Sequence, residues 1–366
     1  MPDKGQHKPS RSLLVVMPTW LGDCVMATPT LRALRELYPD AKITALMRHN
    51  VRPILDGLTS IDRLLSVRPK KKPGTRGARQ RRTLVGLGRR LSRGGFDTAV
   101  LLPNSFKSAA LASVAGIPRR VGYDRDGRGV LLTDRLIARR HRGQFVPVPT
   151  LDYYLGIARY LGSEDPCHAM ELATRPESDA RALACLTSAG FDVNNDELLL
   201  INPGAQKTTK RWPAQRFGQL IDEMNQRFGV KAAVTGSPAE REILDQVIAS
   251  AKSPVIDLPR QGMDLHLLKS IMRWTRLMVT NDTGPRHIAA AMRVPVATLF
   301  GPTTPAWTQI GFDMEQHIIA GGLAQNPDGS PAASGPLIDT LPLDQACQAA
   351  ASLYERTQGC TIGPAA

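Results

Sequence analysis

Cysteine, aromatic residues and long apolar runs are all scarce in this chain. Its five cysteines are scattered without a Cys-x-x-Cys spacing, which argues against a disulfide framework or a structural zinc site and favours a reducing compartment. No apolar stretch approaches the roughly twenty residues that a membrane-spanning helix needs. Basic residues before Leu13 imitate a signal peptide, but Pro18, Trp20 and Asp23 interrupt the apolar region. We therefore expect a cytoplasmic protein that touches a membrane only peripherally.

Acidic residues are few relative to basic ones. The chain has 47 Lys and Arg against 33 Asp and Glu, which gives a net charge of +14 and a pI near 9.9. Such a balance favours an anionic partner: nucleic acid, an anionic membrane surface or a phosphorylated substrate. Aromatic content is only 5%, and no helix-turn-helix, zinc or RNA-binding signature occurs. We therefore expect no nucleic-acid partner, and the oligomeric state stays open.

Length and alternation predict the domain organisation. A chain of 366 residues can bury a large core, and strands alternate with helices in both halves. This pattern predicts an α/β protein with two parallel-sheet domains facing across a cleft. Pro147, Pro149 and Pro166 punctuate the junction between the halves. We expect domains at 1–165, beginning with a disordered basic leader at 1–11, and at 166–341, followed by a C-terminal helix and tail at 342–366.

The stretch from Leu277 to Trp307 reads as a strand, turn, helix, strand unit. Leu277 to Val279 is an apolar run, Pro285 opens a small-residue helix, and Val294 to Phe300 is a second buried run. The turn between the first strand and the helix contains Asn281, Asp282, Thr283 and Gly284.

This turn has two possible roles. One of its polar residues can cap the helix while the first amide groups stay free, and those donors suit an anion such as pyrophosphate. His287 lies near the start of the same helix, where it could reach that ligand. Alternatively, Asp282 only caps the helix and His287 only packs. The exit loop Phe300 to Pro305 favours a ligand site, because neighbouring strand ends form the usual crevice of parallel sheets.

Two further loops of the second half carry candidate ligands. Lys207, Lys210 and Arg211 follow the predicted strand Leu198 to Ile201 and could neutralise a diphosphate, to which Thr208 or Thr209 could hydrogen-bond. Basic loop residues are otherwise only solvated. Glu240 could accept a hydrogen bond from a ribose hydroxyl or merely favour the helix dipole.

In the first half, Asp23 stands between the predicted strand Leu13 to Met17 and a helix predicted from Cys24 to Leu37. It can be a helix cap or a catalytic carboxylate, and spacing alone favours the cap. Asn104 or Ser105 can likewise cap the helix after the strand Thr98 to Leu102, while Lys107 could present charge to the cleft.

Two charged stretches of the first half need an interpretation of their own. Asp124-Arg125-Asp126 lies in a turn rich in glycine and arginine, for which we predict no metal. The segment 68–93 is the most basic of the chain. It is either a solvated loop or a docking surface for phosphates or lipid head groups.

Taken together, these loops resemble the glycosyltransferase family of ADP-heptose:lipopolysaccharide heptosyltransferases, glycosyltransferase family 9, especially its type II members. The ordered set of motifs that carries the resemblance runs through nearly the whole chain: Pro-Thr-Trp-Leu-Gly-Asp at 18–23, Leu-Pro-Asn-Ser-Phe-Lys-Ser at 102–108, Gly-Ile-Pro-Arg-Arg-Val-Gly at 116–122, Asn-Pro-Gly-Ala at 202–205, Lys-Arg-Trp-Pro at 210–213, Asn-Asp-Thr-Gly-Pro at 281–285 with His287, and Phe-Gly-Pro-Thr at 300–303.

The resemblance implies a GT-B fold of two Rossmann-like, doubly wound domains and a metal-independent, inverting sugar transfer with no cofactor, the ADP-sugar being a substrate. It implies that Asp23 is the general base and that Lys210 offsets charge on the leaving diphosphate, chemistry that the reaction itself requires. The donor-binding residues that it implies are Thr208, Thr209, Glu240, Asp282, Thr283, Gly284 and His287. The implied acceptor-binding residues are Trp20, Asn104, Ser105, Lys107 and Arg120.

The resemblance also implies partners and a place of action. We expect ADP-heptose as the donor and a phosphorylated, Kdo-bearing lipid A core as the anionic acceptor. The enzyme would then work in the cytoplasm, peripheral to the inner membrane. The alternatives are a transferase of the same family that uses another nucleotide sugar, a GT-B nucleotide-sugar epimerase, and a non-enzymatic basic protein that binds nucleic acid.

Overall fold

Each half of the chain forms its own parallel six-stranded sheet. The computed structural model describes residues 9–68, 84–141, 144–146, 148–301, 305–321 and 337–358. Its two compact units are Met1–Met170 and Glu171–Ala366. Parts of several predicted segments lie outside the described residues: 1–8 of the leader, 69–83 of the basic segment, 302–304 of the exit loop, 322–336 of the loop before the last helix, and the tail 359–366.

The first sheet has the strand order β3-β2-β1-β4-β5-β6, with all neighbours parallel. Its central strands are continuous apolar runs, as expected where a parallel sheet is buried. The strands are β1 (Ser12–Val16), β2 (Lys42–Arg48), β3 (Arg63–Val67), β4 (Thr98–Leu101), β5 (Arg119–Tyr123) and β6 (Asp134–Leu136), followed by the short antiparallel pair β7 (Arg140–His141) and β8 (Gln144–Phe145). The helices are α1 (Leu21–Met26), α2 (Thr28–Leu37), α3 (Arg52–Leu55), α4 (Leu84–Ser92), α5 (Phe106–Val114) and α6 (Thr150–Leu161).

The second sheet repeats this order as β11-β10-β9-β12-β13-β14, again all parallel. Its strands are β9 (Leu198–Asn202), β10 (Lys231–Val234), β11 (Val255–Asp257), β12 (Thr275–Asn281), β13 (Val296–Phe300) and β14 (Glu315–Ile319). Its helices are α7 (Pro176–Ser188), α8 (Ala214–Phe228), α9 (Arg241–Ser250), α10 (Leu265–Ile271), α11 (Gly284–Ala291) and α12 (Leu343–Arg356).

Both sheets change winding direction at one point. In the first unit the reversal lies between β1 and β4, and in the second unit it lies between β9 and β12. Loops that leave the carboxyl ends of such strand pairs diverge and open a crevice, which is where doubly wound folds bind ligands. The predicted α/β class with two doubly wound parallel sheets is confirmed, and each sheet offers one such edge.

A buried tryptophan anchors the loop after β9. Trp212 is fully buried in the core of the second unit, and its ring meets Phe217 edge-on at 5.0 Å between centroids. The indole N–H donates to the carbonyl of Leu341 at 3.0 Å. The ring of Trp212 is packed in the core and its N–H is hydrogen-bonded there, so Trp212 is firmly anchored. The basic residues just before it, Lys210 and Arg211, are therefore held at the sheet edge.

The helix predicted from Cys24 to Leu37 was wrong as a single helix. The chain breaks at Ala27, between α1 and α2. Pro29 has no amide hydrogen to give to the carbonyl of Val25, so the helical ladder cannot continue through this turn. The hydroxyl of Thr28 donates to that carbonyl instead, at 2.8 Å.

Of the two interpretations of the basic segment, a loop is wrong for residues 84–92, whereas a docking surface stays a prediction. Residues 84–92 form helix α4 rather than a loop, because Leu84, Leu87 and Leu91 pack on the core of the first unit. Their three- and four-residue spacing is helical, but the surrounding arginines obscured it. Strands β5, β6 and β14 were missed for a related reason: each mixes charged with apolar residues.

Gly218 offers a test of the packing between α8 and α9. Glycine to alanine in a helix interior is normally favourable by about 1 kcal/mol. A Cβ at Gly218 would lie 2.8 Å from the amide nitrogen of Ala251 and closer still to the Ser250 hydroxyl. Overpacking costs about 1 to 3 kcal/mol, so we expect Gly218→Ala to lower the thermal midpoint in calorimetry. The exposed neighbour Gln219→Ala is the control, and a midpoint raised by Gly218→Ala would contradict this packing.

Candidate functional site

The second unit brings Lys210 and Asp282 together at its sheet edge. The register pairs Thr280 of β12 with Asn202 of β9, so the loops after these strands start side by side. A short 3-10 turn at Thr208–Lys210 brings Lys210 to the loop after β12. Its Nζ lies 2.7 Å from Oδ2 of Asp282, whose side chain is only 7% exposed. Two residues predicted from separate motifs therefore form one ion pair.

A second cation holds the other oxygen of Asp282. Arg286 lies one helical turn further along α11, and its Nη1 is 3.1 Å from Oδ1 of Asp282. Burial by itself would raise the pKa of Asp282, but the charges of Arg286 and Lys210 outweigh it and leave the pKa below its usual value. Asp282 is therefore an ionised carboxylate shared between two cations.

Arg286 is in turn fixed by groups outside the predicted set. Its guanidinium is fully buried and meets the carboxylate of Glu315 in β14 through Nε and, at 2.9 Å, through Nη2. It also donates to the hydroxyl of Thr308 at 3.0 Å. Burial would raise the pKa of Glu315, but hydrogen bonds from His317 and Arg286 lower it to about 2. Glu315 is therefore an ionised carboxylate, and its contacts with the guanidinium stabilise the position of Arg286.

His287 is buried beside this cluster and is neutral. Burial, followed by the charge of Arg286, lowers its pKa to about 3. Within the part of the chain that the structure describes, its Nδ1 has no hydrogen-bond partner. A buried ring nitrogen without a partner needs a reason, because such atoms are normally paired. The geometry therefore favours the ligand interpretation of His287 over simple packing.

Two asparagines join the loops and leave the start of α11 accessible. Asn202 Nδ2 donates to the hydroxyls of Thr280 and Thr283, both at 3.0 Å. Asn281 accepts from the amide of Trp212 at 3.2 Å and donates to the carbonyl of Pro203 at 2.8 Å. Thr283 is the N-cap residue of α11, but its side chain makes no capping hydrogen bond. Pro285 has no N–H, and the Arg286 amide donates to the Thr283 carbonyl at 3.2 Å. The Gly284 amide is therefore the first donor of α11 that no side-chain cap consumes, and a helix start of this kind suits an anion.

The remaining donor candidates stay predictions. Thr208 and Thr209 are exposed on the turn before Lys210. Glu240 accepts from the amide and the hydroxyl of Ser237, each at 2.7 Å, so it has a local helix-capping role. Its carboxylate also lies against Gly204, where a Cβ would collide with it. Glu240 thus borders the loop after β9 while it caps.

In the first unit, Asp23 occupies the loop-to-helix transition after β1. Helix α1 has Trp20 as its N-cap residue, so Asp23 lies inside the first turn and is not the cap that spacing favoured. Among the residues that the structure describes, its carboxylate has no hydrogen bond or ion pair. Burial raises its pKa to about 6. An unpaired, partly buried carboxylate at a sheet edge is the arrangement that a general base needs.

Some of the acceptor candidates are exposed, whereas others are engaged in hydrogen bonds within the first unit. Trp20 is 58% exposed, and Lys107 is exposed as well. Ser105 caps α5, accepting from the amide of Ser108 at 3.3 Å. The guanidinium of Arg120 donates to the carbonyls of Leu131 and Ile117, each at 2.6 Å, and so braces β5 inside its own unit. Their roles toward an acceptor remain predictions.

Asn104 is held by two hydrogen bonds. Its Oδ1 accepts from the Tyr153 hydroxyl at 3.0 Å and from Arg128 at 3.4 Å.

In the predicted turn that follows β5, Asp126 and Gly127 have left-handed backbones. No group of three or more His, Cys, Asp or Glu side chains suited to a metal occurs among the described residues. No helix in these ranges is long and apolar enough to cross a membrane.

Two solved structures of glycosyltransferases share the fold. A glycosyl transferase family 9 protein from Veillonella parvula superposes with a TM-score of 0.81 at 21% identity, covering 97% of this chain and 100% of that one. The ADP-heptose lps heptosyltransferase II of E. coli gives a TM-score of 0.73 at 21% identity, covering 95% and 100%. These similarities define the class as an α/β protein of the GT-B fold.

Sequence similarity gives the family. Residues 84–330 match glycosyltransferase family 9 (heptosyltransferase), and the chain belongs to that family. It is 27% identical over 303 residues to lipopolysaccharide heptosyltransferase 2 of Salmonella typhimurium, covering 81% of this chain and 84% of the relative. It is 27% identical over 307 residues to the E. coli protein of the same name, with the same coverage. The predictions of the family, the fold and a glycosyltransferase are confirmed.

Sequence reasoning missed Arg286 and Glu315. Arg286 had a detectable signal, because residues four apart on a helix share a face and Arg286 is four residues after Asp282. Glu315 had none, since it belongs to a short polar strand that the sequence did not reveal.

The raised pKa of Asp23 predicts a pH-dependent stability change. The pKa of Asp23 is about 6 in the folded protein, against 3.8 for an ordinary aspartate. The folded protein therefore loses stability as the pH rises toward and through 6, where the buried carboxyl ionises. Asp23→Asn should therefore raise the free energy of unfolding by roughly 3 kcal/mol at pH 8 and by less than about 1 kcal/mol at pH 4. Urea titrations at both pH values measure this. Asp40→Asn, on an exposed turn, is the control, and destabilisation by Asp23→Asn at pH 8 would show a structural partner.

The buried ion pair between Arg286 and Glu315 predicts a non-additive effect. Arg286→Met should cost about 3 to 5 kcal/mol, because it leaves the carboxylate of Glu315 buried without its guanidinium. Adding Glu315→Gln should restore much of the loss, since the double variant carries no orphaned charge at that position. Thermal melts of both single variants and the double variant give the coupling energy. Additive losses would mean that the two side chains do not stabilise each other.

Proposed function

We propose that this protein transfers heptose from ADP-heptose to a hydroxyl group of the lipopolysaccharide inner core, on a Kdo- or heptose-bearing lipid A acceptor. Support comes from membership of family 9 and from curated relatives named lipopolysaccharide heptosyltransferase 2. The basic net charge of +14 suits both an ADP-sugar and an anionic core. The work is done in the cytoplasm, with peripheral contact at the inner membrane surface.

In this proposal Asp23 is the general base. The acceptor oxygen attacks the anomeric carbon, Asp23 takes the hydroxyl proton, and the bond from that carbon to the diphosphate breaks. A single displacement of this kind inverts the configuration at the sugar carbon. A carboxylate with a pKa of about 6 is ionised at neutral pH yet more basic than an ordinary aspartate. This unpaired carboxylate is the single observation that carries the proposal.

The second unit, with its donor-binding segment assigned to 166–341, holds the ADP-heptose. Lys210, the Gly284 amide and the positive end of the α11 dipole offset the charge that grows on the departing diphosphate. Asp282 keeps Lys210 in place, and His287 offers its unpaired nitrogen to the donor. Glu240 lies toward the nucleoside. The other donor contacts in this proposal are Thr208, Thr209, Thr283 and Gly284. No cofactor enters this chemistry, because the activated sugar supplies its own leaving group.

The first unit receives the acceptor in this proposal, with the acceptor side assigned to 1–165. Trp20 exposes an aromatic ring next to the loop of Asp23, and such rings pack on sugar faces. Lys107 adds a cation in the first turn of α5. Asn104, Ser105 and Arg120 complete the proposed acceptor set.

The test is acceptor-dependent release of ADP. With ADP-heptose and lipopolysaccharide truncated to its inner core, we expect wild-type enzyme to release ADP only when acceptor is present. Asp23→Asn should lower kcat about 10² to 10⁴-fold while the Kd for ADP stays unchanged, because a lost general base affects the transfer step. In the wild type, kcat should fall as pH drops below 6, since protonation removes the base.

Three outcomes would contradict parts of this proposal. Turnover with UDP- or GDP-sugars alone would assign another donor within the same family. Conversion of the donor without acceptor would indicate an epimerase. Unchanged turnover of Asp23→Asn would remove Asp23 from the mechanism. The control is Asp40→Asn, which makes the same chemical change at an exposed turn.

A further inference from the structure

The loop after β4 contains a carboxamide whose orientation is fixed by its neighbours. Asn104 Oδ1 accepts from the Tyr153 hydroxyl at 3.0 Å and from Arg128 Nη2 at 3.4 Å. A guanidinium can only donate, so the oxygen of the carboxamide and not its nitrogen must face Arg128. The two Nδ2 hydrogens of Asn104 are therefore turned to the other side. In the described ranges, no protein group accepts them.

Arg128 is a buried cation held by neutral groups. Its exposure is 0%, and it donates to the carbonyls of Tyr123 at 2.8 Å and of Pro103, and to the Ser108 hydroxyl at 3.2 Å. None of the ion pairs found among the described residues includes it. Burial lowers its pKa, although the nearby charges of Asp126 and Asp124 act in the opposite direction. No carboxylate touches its guanidinium, so its direct hydrogen-bond partners among the described residues are neutral oxygen atoms.

Tyr153 is held as firmly as Arg128. Its ring stacks on Tyr123 with 3.8 Å between centroids and an angle of 18° between the planes. Both donors to Asn104 are thus fixed before any ligand arrives. A side chain that is already held in its binding orientation loses little conformational entropy when it binds a ligand.

The carboxamide lies on the same sheet edge as Asp23. Strands β1 and β4 pair in parallel with Val16 opposite Leu101, and the Leu102 amide donates to the Val16 carbonyl at 3.2 Å. The loops of Asp23 and Asn104 therefore leave neighbouring strands at the point where the first sheet reverses its winding. Helix α6 contacts both loops. Its Tyr153 donates a hydrogen bond to Asn104. Burial raises the pKa of its Tyr154, which lies close enough to Asp23 for the charge of that carboxylate to raise the pKa of the tyrosine further.

We propose that Asn104 determines acceptor specificity by donating a hydrogen bond to an anionic oxygen of the acceptor, and that Arg128 and Tyr153 are positioning residues that hold its carboxamide in this orientation. The inference rests on the proposed function, because it takes the first unit as the acceptor side. An outward N–H above a buried cation matches an anionic oxygen better than a neutral hydroxyl. A carboxylate and a phosphate of the acceptor share this chemistry.

Asn104→Asp separates binding from structure. The aspartate keeps an oxygen toward Tyr153 and Arg128 and gains an ion pair with the buried guanidinium, so the thermal midpoint should hold or rise. Its outward atom becomes an anionic oxygen that repels the acceptor anion. We expect the acceptor KM to rise at least about 10-fold, which corresponds to 1.4 kcal/mol, with kcat changed less than about 3-fold and the Kd for ADP unchanged.

Two further variants provide a control for the added charge and a test of the positioning role of Tyr153. Asn194→Asp adds the same charge on an exposed loop of the second unit and is the matched control. Tyr153→Phe removes one of the two donors that orient the carboxamide, so its acceptor KM should rise by a smaller factor. Tyr153→Phe also keeps the test available if Asn104→Asp does not fold. An unchanged acceptor KM in either folded variant overturns the inference.

Modified acceptors identify the anion. One acceptor is treated with phosphatase, and a second is esterified at its carboxylates. The modification that gives wild type and Asn104→Ala the same KM names the group that Asn104 contacts. If both modified acceptors preserve the difference between these enzymes, the anionic oxygen is not the partner and the inference fails. A wild-type enzyme without acceptor-dependent ADP release is a separate result, which overturns the proposed function and this inference with it.

Discussion

The carboxylate of Asp282, shared between Lys210 and Arg286, is the interaction on which the site of the second unit depends. Without this anion, two cations would meet at one sheet edge and repel each other. With it, Lys210 is fixed 2.7 Å from Asp282 while its side chain remains 22% exposed. The buried guanidinium of Arg286 helps to keep Asp282 ionised, and Arg286 is itself held by Glu315. A cation held this way is preorganised for charge that develops nearby.

Asp23 and Asp282 show how environment divides the work of one residue type. Burial acts on both in the same direction, because a low-dielectric surrounding disfavours the charged form. Two adjacent cations reverse the effect at Asp282, whereas Asp23 has no partner among the described residues and its pKa rises to about 6. Carboxyls whose pKa values are pushed apart typically have different chemical roles. The difference supports an anchoring role for Asp282 and a proton-accepting role for Asp23.

Much of this arrangement could be predicted from the sequence. Buried parallel strands such as Leu198–Asn202 are continuous apolar runs, so their ends, and the loops that follow, are visible without a structure. Lys210 and Asp282 were predicted as site residues on that basis, and the structure brings them together. The ion pair of Arg286 with Glu315 could not be foreseen, because it joins positions 29 apart through a strand too polar to recognise. The break at Ala27 depended on one missing amide hydrogen, at Pro29, which periodicity does not register.

Polar or charged groups without the usual hydrogen-bond or ion-pair partners lie at both sheet edges. The carboxylate of Asp23 is unpaired, Nδ1 of His287 has no acceptor or donor, and the charge of Arg128 meets only neutral partners within the ranges described. Each of these costs stability in the free protein, since buried polar groups are normally satisfied. A ligand that supplied the missing partner would recover that cost on binding. These three groups lie at the points where the two sheets reverse their winding, which is where doubly wound folds bind ligands, and this is a physical reason to place the chemistry there.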